Sequence, residues 1–535
     1  MDCKTDFIDY GDTGYFSRLM IDYLREDPSL KPFYTYSPTN PDFSEAMAAR
    51  DAFPTDRALL TRELRSQYEG MEVHERLRKN LALLEAPDTY TVCTAHQPNL
   101  FTGYLYFVYK VLHAVKLAAF LTEKYPGKHF VPVYYMGSED ADLEELGTVH
   151  VEGRTYRWQT GQQGAVGRMA PEGLAAMIDQ VTERLGVDGP AAELRGILRE
   201  AYLEHADIQT GTLWLVNALF GRFGLVVLIA DTPGFKHAFS PVMERELFSQ
   251  ESFPVVSATI DRFPKAYHAQ ATPREINLFY LGDQLRERIV RTGDKWEVLH
   301  TGISFTEAEL RRELETHPER FSPNVILRGL LQETILPDIA FIGGGGELAY
   351  WLELKDVFRH FRVPFPALML RNSLLWIGER AVRKLRKIDL APSELFRNTE
   401  AVVSEFVRRH TRQDLVLKKE YQKTEALYEE LSRKALLIDV TLGATVAAQK
   451  KKALCQLGKL EHKFLRAEKK KFAWQAEAIR SLQAELFPGG GLQERVENLL
   501  PFYSRYGPAF FDEVYQVLDP LNKAFTIVRC EPQEN

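Results

Sequence analysis

Three short loops hold most of the residues in this chain that could do chemistry, and each directly follows an apolar run. In TAHQPNLFTG, Thr94, His96, Gln97 and Asn99 are neutral hydrogen-bonding groups, and Gly103 permits close backbone approach. The loop opens onto YLYFVYKVLHAVKLAAFLTEKY, whose periodicity predicts an amphipathic helix with Lys110 and Lys116 on its polar side. The start of such a helix presents unpaired N–H groups and a positive dipole end, which suits a phosphate. The competing reading is a structural loop shaped by Pro98 and Gly103. In SEDADLEE, Ser138, Glu139, Asp140 and Asp142 follow the apolar HFVPVYYM. Carboxylates there can hold Mg²⁺, bind an ammonium or take a proton from an amine, although helix capping explains one or two of them equally well. In IGGGGELAYW, Gly343 and Gly344 open a run of four glycines ahead of Glu347 and Tyr350. Such a run either turns backbone N–H groups toward an anion or serves as a hinge. Arg328 and Gln332 lie upstream, and Arg371, Asn372 and Ser373 follow a later apolar run, where Arg371 could pair with a carboxylate or phosphate. Neither a G-x-G-x-x-G fingerprint nor a Walker loop occurs.

The elements that must position these loops are legible in outline. TYTVCTA, the helix from Tyr104 and HFVPVYYM make a strand–helix–strand unit, and a crossover of that length implies a parallel sheet. All three loops then fall at the carboxyl edge, where open α/β sheets bind ligands. FGLVVLIAD reads as a central strand, FPALMLRNS as another, and residues 255–320 as an antiparallel hairpin insertion. Residues 1–88 read as helices with Pro-rich breaks. No proline occurs between Arg409 and Phe487, and the leucine spacing there predicts two helices of about 40 residues each, reversing at Asp439–Gly443 as an antiparallel coiled coil. Its lysines, Lys450 to Lys471, read as a solvated face. The expected division is 1–88, a helical segment; 89–388, the α/β core with insertions near 150–220 and 255–320; 389–490, the arm; and 491–535, a helical end.

Composition narrows the partners. The 535 residues are 45% hydrophobic and 26% charged, an ordinary globular mix. A net charge of −7 argues against a general nucleic-acid coat. Cys3, Cys93, Cys455 and Cys530 form no C-x-x-C pair, so neither a zinc motif nor a disulfide framework is expected, and no bound metal. The start, MDCKTDFIDYGD, lacks an apolar core, and the most apolar run, FGLVVLIA, is far short of the ~20 residues of a membrane span. A cytoplasmic protein with no membrane partner is expected.

Together, TAHQPNLFTGYLYFVYK, VPVYYMGSEDADLEE, NVILRGLLQETILPDIAFIGGGGELAYW and LFPGGGLQER resemble the bacillithiol biosynthesis cysteine-adding enzyme (BshC) family over nearly the whole chain. The chain departs from the usual family pattern at Ala95–His96, Ala141, Gly329 and Gly345. The resemblance implies a Rossmann-like core related to class I aminoacyl-tRNA synthetases and nucleotidyltransferases, and a coiled coil that makes a homodimer. It further implies a ligase joining the carboxylate of cysteine to the amine of glucosaminyl-malate. Amide formation needs an activated carboxylate, most simply through ATP with Mg²⁺, and a group to take the amine's proton. The expected arrangement puts the nucleotide near His96, Gln97 and Asn99, the amine or Mg²⁺ at Glu139, Asp140 or Asp142, and substrate carboxylates at Arg371 and Asn372. The rivals are a nucleotidyltransferase using the same edge and an inactive coiled-coil scaffold. Tyr421, Tyr428, Phe464, Phe472 and Trp474 cannot share one narrow stripe of the arm, so a contact surface is expected there.

Overall fold

The computed structural model describes residues 3–531. The predicted unit is present: β1 (Thr89–His96), α1 (Tyr106–Lys124) and β2 (His129–Met136), with the strands parallel from Thr89 opposite His129 to His96 opposite Met136. Three further parallel strands, β3 (Val226–Ile229), β4 (Asp338–Gly343) and β5 (Ala367–Leu370), complete a sheet of order β5-β4-β1-β2-β3. Every residue of β1 and β4 is buried, as a sheet covered on both faces requires, and this is why those segments read as continuous apolar runs. One apolar cluster between α1 and the sheet joins Ala114, Leu117 and Leu121 to Tyr90, Val92, Ile342 and Met369.

FGLVVLIAD supplies an edge strand, not the central one expected. Its outer backbone groups are taken by side chains: Ile229 N donates to Gln67 Oε1 (3.1 Å), Gln67 Nε2 donates to Ile229 O (2.8 Å), and Val227 N donates to the Tyr68 hydroxyl (2.8 Å). This capping lets an edge be fully apolar without offering a template for further pairing.

The first insertion contains a short hairpin (Thr148–Val151 with Arg154–Arg157) and three helices ending at Phe220. The second is antiparallel as expected, five short strands from Leu278 to Pro323. After it come α2 (Val325–Ile335), then β4, then α3 (Gly345–Leu352). The chain ends depart from the all-helical expectation. Cys3–Asp9 and Ala524–Cys530 are strands that join Leu374–Ile377 in a three-stranded sheet. AFTIVRC has the β-branched and aromatic content of a strand, but its partners lie about 150 and 520 residues away in sequence, out of reach of any local pattern.

The chain divides into two compact units: residues up to 376 with 491–528, and residues 377–490 with those from 529. In the second unit, α4 (Lys418–Ile438) and α5 (Leu442–Lys471) reverse where expected and run on into α6 (Ala473–Leu486). The first arm helix is shorter than the ~40 residues expected. Residues 411–417 are held out of the helix by local bonds, Gln413 N to Thr411 Oγ1 (3.1 Å) and Val416 N to Asp414 Oδ1 (3.1 Å), which compete with helical pairing. Of the five arm aromatics, only Phe464 and Trp474 are exposed; Tyr421, Tyr428 and Phe472 are half-buried. Among the described residues, no helix is long and apolar enough to cross a membrane. The first unit returns from the arm through 491–498 into α7 (Leu500–Tyr506).

Candidate active site

Parallel strands bring their carboxyl ends to one edge, and there β1, β2 and β4 open on a cavity of about 580 Å³. His96 and Gln97 reach it from the end of β1, Glu139 and Asp140 from the loop after β2, and Gly344 to Glu347 from the start of α3. Arg328 comes from α2, Tyr350 from α3 and Arg371 from the loop after β5. Two arginines that the sequence did not mark complete it, Arg286 from the antiparallel insertion and Arg495 from the return segment.

Among the described residues, three arginines of the cavity have no carboxylate within ion-pair distance, although Glu139, Asp140 and Glu347 line the same space. Arg328 donates to the Tyr350 hydroxyl and lies over the Tyr135 ring. Arg286 lies 4.0 Å over the Phe279 ring, with Nε 3.5 Å from Ser322 Oγ. Arg495 donates to Tyr15 O (3.2 Å) and lies 5.1 Å over the Phe16 ring. Among the described residues, none of the three forms an ion pair with a carboxylate. Arg371 differs. Both of its terminal nitrogens are bound by the fully buried Glu494 at 2.7 and 3.0 Å, and it donates to Ser373 Oγ at 3.0 Å. The expected carboxylate anchor is thus already engaged. Asn372 is 1% exposed and its N–H donates to His113 Nδ1, so Asn372 and Ser373 build the wall behind the cavity and do not line it.

The acids divide by environment. Glu139 pairs with Lys236, whose ammonium is wholly buried and also donates to Phe321 O (2.8 Å). Burial pushes the Glu139 carboxyl up, and Lys236 draws it partly back. Asp140 accepts from Gln97 Nε2 (3.3 Å) and from Asp142 N (3.2 Å) at the cavity edge. Asp142 itself is exposed and caps the helix Leu143–Leu146 by accepting from Glu145 N (3.0 Å), so at this position the capping reading holds. Glu139, Asp140 and Asp142 therefore do not converge on one point. Among the described residues, no group of three His, Cys, Asp or Glu is placed to hold a metal ion.

His96 is 9% exposed, its Nε2 is buried without a hydrogen-bond partner, and its ring packs against Tyr106 and Phe107. Burial, reinforced by the charges of Lys110, Arg371 and Arg328, holds its pKa well below 6.5, so the imidazole is neutral. Lys110, expected on a solvated face, is 1% exposed. Its ammonium donates to Ala95 O and to Glu347 Oε2 (2.6 Å), and Glu347 also accepts from Gly344 N (2.8 Å). Lys116 reaches Tyr515 O (3.1 Å), so neither lysine simply faces water.

The remaining expected residues stand behind the cavity. Thr94 Oγ1 donates across to Ile342 O (2.8 Å), Gln332 is fully buried against Glu333, and Asn99 and Ser138 are buried. Gly343 closes β4 where a Cβ would meet Leu348 and Phe341 at 2.9 Å. In the loop after β1 the backbone is left-handed at three successive residues, Phe101 (φ 53°), Thr102 (φ 68°) and Gly103 (φ 66°). For the two that are not glycine this conformation costs roughly 1–3 kcal/mol each, so the surroundings must enforce it.

Comparison with known proteins identifies the family of both parts of the chain. The family model for the bacillithiol biosynthesis BshC N-terminal Rossmann-like domain matches residues 3–372, and that for the BshC C-terminal coiled-coil domain matches residues 374–530. A protein of Flavobacterium johnsoniae named "Putative cysteine ligase BshC" is 40% identical over 528 residues, covering 98% of this chain and 99% of that one. A protein of the same name from Flavobacterium psychrophilum is 38% identical with the same coverage. Matched along both domains and nearly end to end, the chain belongs to the BshC family of bacillithiol biosynthesis, a family of ligases with a Rossmann-like core and a coiled-coil arm.

Proposed function

We propose that this enzyme joins the carboxylate of L-cysteine to the amine of glucosaminyl-malate, with ATP as the activating nucleotide. One observation carries the reading: a single cavity holds three arginines without carboxylate partners beside a neutral, unpartnered imidazole and the carboxylate of Asp140. The malate moiety is a dianion and the nucleotide a polyanion. Arg286, Arg328 and Arg495 supply the counter-charge, with a planar fork suited to carboxylate and phosphate oxygens. This assigns the carboxylate-anchoring role expected of Arg371 and Asn372 to the arginines whose forks are not already engaged. The first-turn N–H groups of α3, from Gly345 onward, face the same space and add neutral donors.

ATP, when bound, supplies the leaving group that makes the cysteine carboxylate electrophilic. The amine attacks only as the neutral base, so a nearby group must take its proton, and Asp140, at the cavity edge, is the group suited to do so. Glu139 is less suited, because its negative charge is spent on Lys236. Mg²⁺ would arrive on the nucleotide phosphates and not in a cage of protein side chains. The test is to mix purified protein with ATP, Mg²⁺, cysteine and glucosaminyl-malate and to measure the thiol product by mass spectrometry. Release of AMP or ADP identifies which phosphate bond is broken. No product across varied conditions overturns the reading.

A further inference from the structure

The return segment that carries Glu494 and Arg495 ends at Asn498, a residue 1% exposed and far in sequence from every loop of the site. Its side-chain Nδ2 donates to Phe101 O (3.0 Å) and to Gly103 O, the two carbonyls on either side of Thr102. Its Oδ1 accepts from Leu500 N (2.8 Å) at the start of α7, which fixes the amide's orientation. The backbones meet as well: Tyr104 and Asn498 form an antiparallel bridge, and Leu105 N donates to Glu497 O (2.7 Å). One buried amide thus spans the left-handed run Phe101–Gly103, which the Tyr202 hydroxyl holds from the other side by accepting from Phe101 N (3.1 Å). Of its own the loop has two backbone bonds, Asn99 N to Gln97 O (2.9 Å) and Gly103 N to Leu100 O (3.0 Å), and none from the side chains of Asn99 and Thr102. Asn99 Oδ1 and Thr102 Oγ1 are buried without partners, and a β-branched residue at positive φ has no local preference for that shape.

We propose that Asn498 is a positioning residue of the active site: by clamping the carbonyls of Phe101 and Gly103 it fixes the strained loop that presents Gln97, and with it the end of β1 that carries His96. Asparagine suits this place because the clamp needs two N–H donors toward carbonyls and one acceptor toward α7. Aspartate keeps only the acceptor, and sets a carboxylate against two carbonyl oxygens.

The activity arm of the test rests on the ligase reading above, and the exchange arm does not. Asn498→Ala and Asn498→Asp are prepared in the full-length protein, each with and without Thr102→Gly, since glycine adopts the left-handed turn without strain. In the folded variants, amides of residues 99–105 should exchange at least about tenfold faster while those of β1 and β2 are unchanged. The kcat should fall at least about tenfold, with the KM for glucosaminyl-malate within about twofold, because Arg286 and Arg328 sit on other elements and Arg495, on the return segment itself, is held separately by Tyr15 O and the Phe16 ring. Adding Thr102→Gly should restore several-fold of the lost kcat, which a merely structural loss would not allow. If Asn498→Ala alone does not fold, the pair Thr102→Gly and Thr102→Gly/Asn498→Ala gives the same comparison without the strain. The proposal is overturned if loop protection is unchanged, or if folded Asn498→Ala keeps the wild-type kcat. Should the wild type form no product, the ligase reading falls, and loop exchange still decides the role of Asn498.

Discussion

Asp140 and Glu145 belong to one acidic loop yet meet different surroundings. Asp140 lines the cavity and is oriented by Gln97, whereas Glu145 is solvent-facing in the short helix that Asp142 caps. Asp140→Asn should therefore lower turnover about 10²-fold, the scale of a lost proton acceptor, while Glu145→Gln stays within about twofold. Equal small effects in a steady-state assay would return the whole cluster to a capping role. A second residue-scale prediction concerns stability. Arg50, Glu333 and Asp338 are buried together, with Arg50 donating to Glu333 Oε2 (2.6 Å) and Thr91 Oγ1 donating to Asp338 Oδ1 (3.0 Å). Two carboxyls share one cation, and burial pushes both up, Asp338 further through the charge of Glu333. A carboxyl raised in the folded state holds its proton there after the unfolded chain has lost it, so stability falls as pH rises from the ordinary carboxylate range, about 4, toward the raised folded-state value. Asp338→Asn mimics the protonated form. Its melting temperature should match wild type at about pH 4, where the unfolded carboxyl is still largely protonated, and exceed it increasingly as pH rises from there, and a difference independent of pH would refute the shared proton.

At the scale of elements, α1 does more than cover the sheet. Lys110 ties the end of β1 to α3, Lys116 reaches Tyr515, and between them His113 accepts from Asn372 N and bonds Pro520 O at 3.0 Å. Burial lowers the His113 pKa to about 4, so it stays neutral in this bridge across the physiological range. Lys110→Met would fit the stem but remove the ammonium's bond to Ala95 O and leave Glu347 held by Gly344 alone. Thermal unfolding should show a loss of about 2–3 kcal/mol, and turnover should drop because Glu347 faces the cavity. Unchanged stability would mean that water replaces the ammonium without cost.

For the whole molecule, the open question is what covers the arm. Apolar exposure concentrates at its reversal, with Leu437 88%, Ile438 79% and Val440 76% exposed, and continues at Phe464 and Trp474. Large exposed apolar groups mark a contact surface, and a twofold dimer is the simplest closed arrangement that hides them. Light scattering of the intact protein should give twice the 61.3 kDa of one chain, and replacing residues 409–487 by a short linker should give a monomer. A monomeric full-length protein at micromolar concentration would refute the dimer.

What the sequence determined by itself was whatever depends on neighbours along the chain. Period and turn chemistry located the β1–α1–β2 unit, the reversal near Asp439 and the three loops at the carboxyl edge, because hydrophobic spacing and backbone preference act over a few residues. It could not assign partners to charges. Lys110 looked solvated and is buried against Glu347, 237 positions away, while Arg371 looked available and is engaged by Glu494, 123 positions away. Arg286 and Arg495 carried no motif at all, and β3 read as central because Gln67 and Tyr68, from a distant helix, cap its edge. Only the tertiary structure decided these points. A buried charge is stable only beside a counter-charge or donor delivered by another element, and which elements meet is set by the packing of the whole core, not by spacing along any one of them.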